Sequence, residues 1–246
     1  MIRVSSFSLP SNPSHIVKIR EATVADCISL ADVNDAREEA ATTVFLDAVC
    51  GEDSRLWTAD DRRFALLWYY IHTEQDHFYK IEYECDCGET HKFKLDLKDV
   101  LDAYRPIDGP AERKIVVRGD EYVVVPLSGA AMESLELERI GIDAISCEKG
   151  DGPEVAKARL QMHLNELIYK ISGNTHMESR IVEMSVGYAR ELITAVDDAI
   201  SEMAHGIDTV YENGRIYILS PPHKCEKEVV TRCRVRFRCL DFIPEL

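Results

Sequence analysis

No stretch of this 246-residue chain carries the roughly 18 consecutive apolar residues that a membrane-spanning helix needs. The N-terminus, MIRVSSFSLPSNPSH, has no uninterrupted apolar core, so a secretory signal is not expected. Positive charge is scarce: 29 Lys and Arg against 44 Asp and Glu leave a formal charge of −15. Such a chain repels a phosphate backbone, which disfavours nucleic-acid binding and favours basic patches on partners. The phosphate-binding glycine loop, HExxH and GxSxG are all missing. Asp60-Asp61 and Asp197-Asp198 sit where helix caps and solvated faces account for them. His163 and His176 have no paired nucleophile. No catalytic residue is nominated, and the chain reads as non-enzymatic. Low-complexity tracts are absent too.

What is present is an ordinary globular composition, 46% apolar and 30% charged, enough for a sizeable core. In a cytoplasmic chain its eight cysteines are expected as thiols or metal ligands, not disulfides.

The order of elements predicts an α+β fold: a helical middle with β-hairpins, a zinc-ribbon-like cysteine knuckle and a β-rich C-terminal end. Thr23 with Asp26, and Thr58 with Asp61, read as helix caps. Phe64, Leu67, Trp68 and Ile71 recur at helical spacing and predict a central, buried helix. Lys114–Val117 and Tyr122–Val125 predict a hairpin turning at Gly119. Ser128 opens a helix to about Ile140, and Cys147–Pro153 reads as a linker before a long helix, Glu154–Ile171. A further helical stretch runs to about His205, with Gly206 as its C-terminal stop. Asn213-Gly214 marks a hairpin, and Glu228–Phe242 runs as one or two strands. Three regions follow: 1–109 with the cysteine hairpin at 81–97, 110–205, and 206–246 packing on that hairpin.

The strongest chemical signal is Ile81–Leu97, IEYECDCGETHKFKLDL. Two alternating runs flank a turn holding Cys85, Cys87, Gly88 and His91. Soft ligands crowded at a hairpin tip point to a structural metal clip, with zinc the natural ion. A second ligand-x-ligand pair, His223 and Cys225, also precedes a strand. Two such knuckles meeting in space would complete a tetrahedral site. His91, His223 and Cys225 compete for the two places beside Cys85 and Cys87. A single residue between the cysteines is tighter than the usual two, and the alternative is a pair of free thiols on a hairpin tip.

Arg232–Cys239, RCRVRFRC, alternates without exception. Arg232, Arg234, Arg236 and Arg238 share one face; Cys233, Val235, Phe237 and Cys239 share the other, as core residues. The arginine face is either an internal layer of salt bridges or a docking surface for an acidic partner. Aromatic stacking platforms for nucleic acid are lacking beside it.

Five segments in sequence order carry a family resemblance: Ser6–Ser11 (SFSLPS), Val17–Ala31 (VKIREATVADCISLA), Asp61–Ile71 (DRRFALLWYYI), the cysteine hairpin running into FKLDL, and the C-terminal end finishing in Asp241–Leu246 (DFIPEL). Together they resemble the baseplate hub and hub-assembly proteins of contractile-tailed, T-even-like bacteriophages. Members typically carry Cys-x-x-Cys-Gly at the hairpin, where this chain has Cys85-x-Cys87-Gly88. The resemblance implies a non-enzymatic role in assembling baseplate or tail-hub subunits, with other phage tail proteins as partners. It implies action in the host-cell cytoplasm, with or without retention in the virion. The alternative is a zinc-ribbon-like binding module for nucleic acid or an acidic protein.

Overall fold

A computed structural model describes residues 4–34, 36–74, 76–85, 87–172, 177–212, 214–225 and 227–239. The fold is mixed α+β, with helices in the majority and small antiparallel sheets. No helix among the described residues is long and apolar enough to cross a membrane.

The chain opens as a hairpin of β1 (Val4–Leu9) and β2 (Asn12–Arg20). Alternation turns Phe7, Leu9, Val17 and Ile19 inward. Helix α1 (Val24–Ala31) starts at the predicted capping box, Thr23 with Asp26. The Arg20 guanidinium, bonded to Asp26 at 2.6 Å, holds that carboxyl well below the usual range. Helix α2 (Glu38–Cys50) stops at Gly51, whose φ of +73° makes it a left-handed cap.

Helix α3 (Ala59–Thr73) is the central helix that its apolar spacing predicts. Thr58 and Asp61 form its capping box, and Asp61 also accepts from the Ser11 amide at 2.8 Å, tying the first hairpin to the helix start. Phe64 through Leu67 are buried against Phe7, Leu46 and Leu95 in the first core. Hairpin β3 (Phe78–Glu84) and β4 (Thr90–Asp96) follows, then α4 (Leu97–Asp102). Strands β5 (Arg113–Val117) and β6 (Asp120–Val124) turn on Arg118-Gly119. Both turn residues have positive φ, +50° and +94°, the requirement of a two-residue turn that matches strand twist.

Helix α5 (Gly129–Lys149) is longer than its sequence suggests. It takes in Cys147–Lys149 of the expected linker, and residues 150–152 of that linker connect it to α6 (Pro153–Tyr169). Leu135 and Ile142 on α5 and Val155 and Met162 on α6 pack together, which extends the helical pattern past Ile140. Helices α7 (Met177–Glu183) and α8 (Val186–Glu202) break where expected, at Ser185, whose side chain caps α8. Helix α8 ends before Gly206. That glycine, at φ +72°, instead pairs its backbone with Arg105 in an isolated bridge. Its φ, not a helix stop, explains the residue.

Strands β7 (Thr209–Glu212) and β8 (Arg215–Leu219) form the hairpin marked by Gly214; Asn213 lies outside the described residues. Short strand β9 (His223–Lys224) pairs with β10 (Val230–Thr231), and β11 (Arg234–Val235) joins β8; β10 and β11 are two strands within Glu228–Phe242, each only two residues long. DFIPEL lies outside the described residues. The alternation of RCRVRFRC nevertheless holds. Cys233, Val235, Phe237 and Cys239 are buried, and the last three join the first core.

Two arginines of α3 shape the centre. Arg62 is fully buried and donates to the Glu39 carbonyl at 2.7 Å and to the Thr43 hydroxyl at 3.0 Å. Arg63 pairs with the Glu39 carboxylate. Glu136 on α5 accepts from the Glu39 amide at 2.9 Å, at the positive end of α2. Burial pushes the Glu136 carboxyl up, and nearby Glu39 adds to the effect. Burial lowers the Arg62 guanidinium.

Gly129 lets α5 approach this layer. A Cβ there would strike Arg62 and come within 2.9 Å of the Arg55 Cα. Backbone cannot yield as a flexible side chain can. Gly129→Ala is therefore expected to lower stability by about 1–3 kcal/mol, the usual cost of overpacking. Urea denaturation checks this, with a shifted midpoint at constant slope as the expected result.

Candidate metal centre

The turn after β3 is closed by two backbone bonds. The Cys85 amide donates to the Glu89 carbonyl at 3.0 Å, and the Gly88 amide donates to the Cys85 carbonyl at 2.9 Å. Gly88 has φ +85°, a conformation that glycine adopts without strain. The turn between β9 and β10 repeats this pattern. There the Cys225 amide donates to the Val229 carbonyl at 3.0 Å, and the Glu228 amide donates to the Cys225 carbonyl at 2.9 Å. Glu228 takes the strained place of Gly88, with φ +60°. Lys227 bridges the two tips through an ion pair to Glu89 at 2.7 Å.

The two knuckles face each other. Cys85, Cys87, His91 and Cys225 bring their ligand atoms within 4.8 Å of one another. The Cys87 Sγ and His91 Nε2 are 3.1 Å apart. Two ligands at zinc–sulfur distance on a tetrahedral ion lie about 3.8 Å apart, so only small movements separate this cluster from a bound geometry. Three thiols and one imidazole make a donor set that fits a metal ion.

Electrostatics favour thiolate at one of the buried sulfurs. Burial would raise the Cys225 thiol, but the amides of Lys227 and Val229 and the neighbouring thiols outweigh it and lower the pKa. At Cys85 the Cys87 amide favours thiolate; burial and the thiols of Cys87 and Cys225 oppose it and leave the pKa raised. A cation among these sulfurs would favour thiolate at both.

His223 is not in the ligand cluster. Its ring stacks on Phe93 with centroids 3.8 Å apart, and its Nε2 lies 3.0 Å from the Tyr83 hydroxyl. The reason is register. The repeated turn bonds align Cys225 with Cys85, so His223 falls back on the strand, two residues before the tip. The imidazole of the cluster is His91, which β4 delivers opposite Tyr83. The spacing of ligand-x-ligand pairs suggested a match between Cys225 and Cys87, and the backbone pairing gives another. Glu228, three residues after Cys225 as Gly88 is after Cys85, is the sequence counterpart of the turn, but its side chain hides the likeness.

The arginine face forms salt bridges within the chain, and it does so at the surface, where Arg232 and Arg234 are exposed. Arg232 pairs with Asp208 at 2.6 Å, Arg234 with Glu212 at 2.5 Å, and Arg236 with Glu38. Arg238 is engaged as well. The Arg236 guanidinium more than offsets the burial of Glu38 and keeps that carboxyl below its usual range. These pairs join the C-terminal segment to α2 and to β7.

Comparison of the chain with protein-family models, with curated proteins and with solved structures found no match.

Proposed function

We propose that this protein is a non-enzymatic assembly factor of a contractile phage baseplate or tail hub, with its C-terminal β region clipped to the β3–β4 hairpin by structural zinc. The observation that carries the zinc clip is the closed donor set. Cys85, Cys87, His91 and Cys225 supply four ligands from two facing knuckles. Catalytic zinc keeps a position open for water or substrate, whereas a structural site fills all four. Three thiolates and an imidazole select zinc over harder cations such as Mg²⁺ or Ca²⁺.

The baseplate role rests on the sequence resemblance, from SFSLPS through the cysteine hairpin to DFIPEL. An acidic protein whose first hairpin shares one core with Val235, Phe237 and Cys239 suits a rigid body that holds partners during assembly. Its charge of −15 directs it to basic patches on those partners.

Quantitative mass spectrometry of purified particles and of infected-cell lysate tests this role. The chain is expected in the particles at baseplate stoichiometry, or in the lysate in complexes with tail proteins. Absence from both fractions would overturn the baseplate reading.

A further inference from the structure

A second site lies away from the metal centre, between α5, α6 and β8. A cleft of about 420 Å³ is lined by Arg139, Ile142 and Asp143 of α5, Arg159 and Met162 of α6, and Arg215 of β8. Three guanidiniums converge there in a chain whose net charge is −15. This cleft holds fewer acids than bases.

Each arginine is positioned differently. Arg139 is 7% exposed and fixed from two sides. Its Nη1 donates to Asp143 at 3.0 Å and its Nη2 to the Ala36 carbonyl at 3.2 Å. Its Nε is buried without a hydrogen-bond partner. Gly214, at φ +73°, lies over it, and a Cβ there would stand 3.2 Å from the Arg139 side chain. Arg215 has a buried, unpartnered Nε and, among the described residues, no ion pair. Arg159 reaches the mouth of the cleft, holding Asp151 at 3.1 Å and remaining half exposed.

A guanidinium with no carboxylate partner, as at Arg215, is stabilised by an oxyanion that its outer nitrogens can reach. The guanidinium fork matches paired oxygens of phosphate or carboxylate. Ile142 and Met162 add an apolar wall that strengthens such bonds by excluding water. Asp143 offsets one of the three positive charges. Asp151 holds a second, at Arg159, through an exposed pair, which leaves Arg215 uncompensated; a multiply charged ligand would bond Arg215 and take Arg159 from Asp151.

We propose that this cleft is an anion site for a small, multiply charged oxyanion of the diphosphate or di- and tricarboxylate class. Arg215 is its central donor, Arg159 closes over the ligand, and Arg139 supplies the fixed floor. The site is independent of the metal clip and of the baseplate role.

Isothermal titration of the full chain with pyrophosphate, and separately with citrate, tests the site. Saturable one-to-one binding of at least one anion is expected. Pyrophosphate alone would identify a phosphoryl site, and citrate alone a carboxylate site. Arg215→Ala and Arg159→Ala are each expected to weaken binding about tenfold or more, the loss of one charge-assisted bond. Arg113→Ala, away from the cleft, is expected to leave it unchanged. Arg215→Lys keeps charge and stem but loses the fork, so it retains the fold and still weakens binding. Circular dichroism and thermal melts establish that each variant is folded. No binding of either anion, or undiminished binding in both Arg215→Ala and Arg159→Ala, would overturn the proposal.

Discussion

Glu39→Ala is expected to destabilise the protein by about 3–5 kcal/mol, the usual cost of breaking a buried ion pair by removing one partner. Glu39 is 4% exposed and lies beside two buried guanidiniums, at 3.5 Å from Arg62 and in contact with Arg63. Removing the carboxylate leaves both cations in the core. Their remaining partners are a carbonyl and two threonine hydroxyls, which carry no charge to neutralise them. Glu136 is close by but already serves the α2 amides. A loss of this size is a large fraction of the stability of an ordinary domain. Reversing the logic gives a control. Replacing Glu39 and both arginines together by apolar residues of similar volume is expected to recover much of the loss, because no unpaired charge then remains. Chemical denaturation of the three proteins checks both statements. A Glu39→Ala loss below about 1 kcal/mol would show that the arginines find other compensation.

Cys225→Ser is expected to have the second large effect. Cys225 is the one ligand that the β9–β10 knuckle contributes to the cluster. Loss of a ligand should weaken zinc binding by more than about 100-fold, since even changes in the surrounding shell cost about 10–100-fold. The knuckles would then be held by the Lys227–Glu89 pair, which is half exposed at both ends and contributes little, and by His223 against Phe93 and Tyr83. Hydrogen exchange should therefore quicken at 85–91 and 223–231. It should stay unchanged at 59–69, in the buried half of α3. His223→Ala, by contrast, is expected to retain the metal, because His223 is stacked on Phe93 outside the cluster. Equal metal loss in both variants would assign His223 a ligand role after all.

Much of this architecture was legible because local rules and tertiary packing agree. The capping boxes at Thr23 and Thr58 satisfy orphan helix amides whatever the rest of the fold does. The strict period of RCRVRFRC survives even though only Arg234 and Val235 are paired as strand. Burial of one face fixes the alternation without a ladder. What the sequence hid depends on long-range partners. The extent of α5 is set by packing against α6, and no residue between Ile140 and Lys149 announces it. The salt bridges of Arg232, Arg234 and Arg236 reach carboxylates as distant as Glu38. Alternation shows that these arginines share a face and says nothing of what meets it.

The metal centre was legible in part for the same reason. Cys85, Cys87 and His91 belong to one hairpin, so strand register brings them together. The fourth ligand comes from about 140 residues away, where composition offers His223 and Cys225 equally. Backbone bonding at the second turn decides between them. The cleft of Arg139, Arg159 and Arg215 has no signature at all along the chain, since three separate elements build it.

The most direct test of the zinc clip is native mass spectrometry of the protein purified in the presence of zinc, beside Cys85→Ser, Cys225→Ser protein prepared in the same way. One tightly held zinc ion per chain in the first and none in the second is the expected result. A metal-free wild-type chain, folded and with three free thiols at 85, 87 and 225 reacting at ordinary rates, would contradict it.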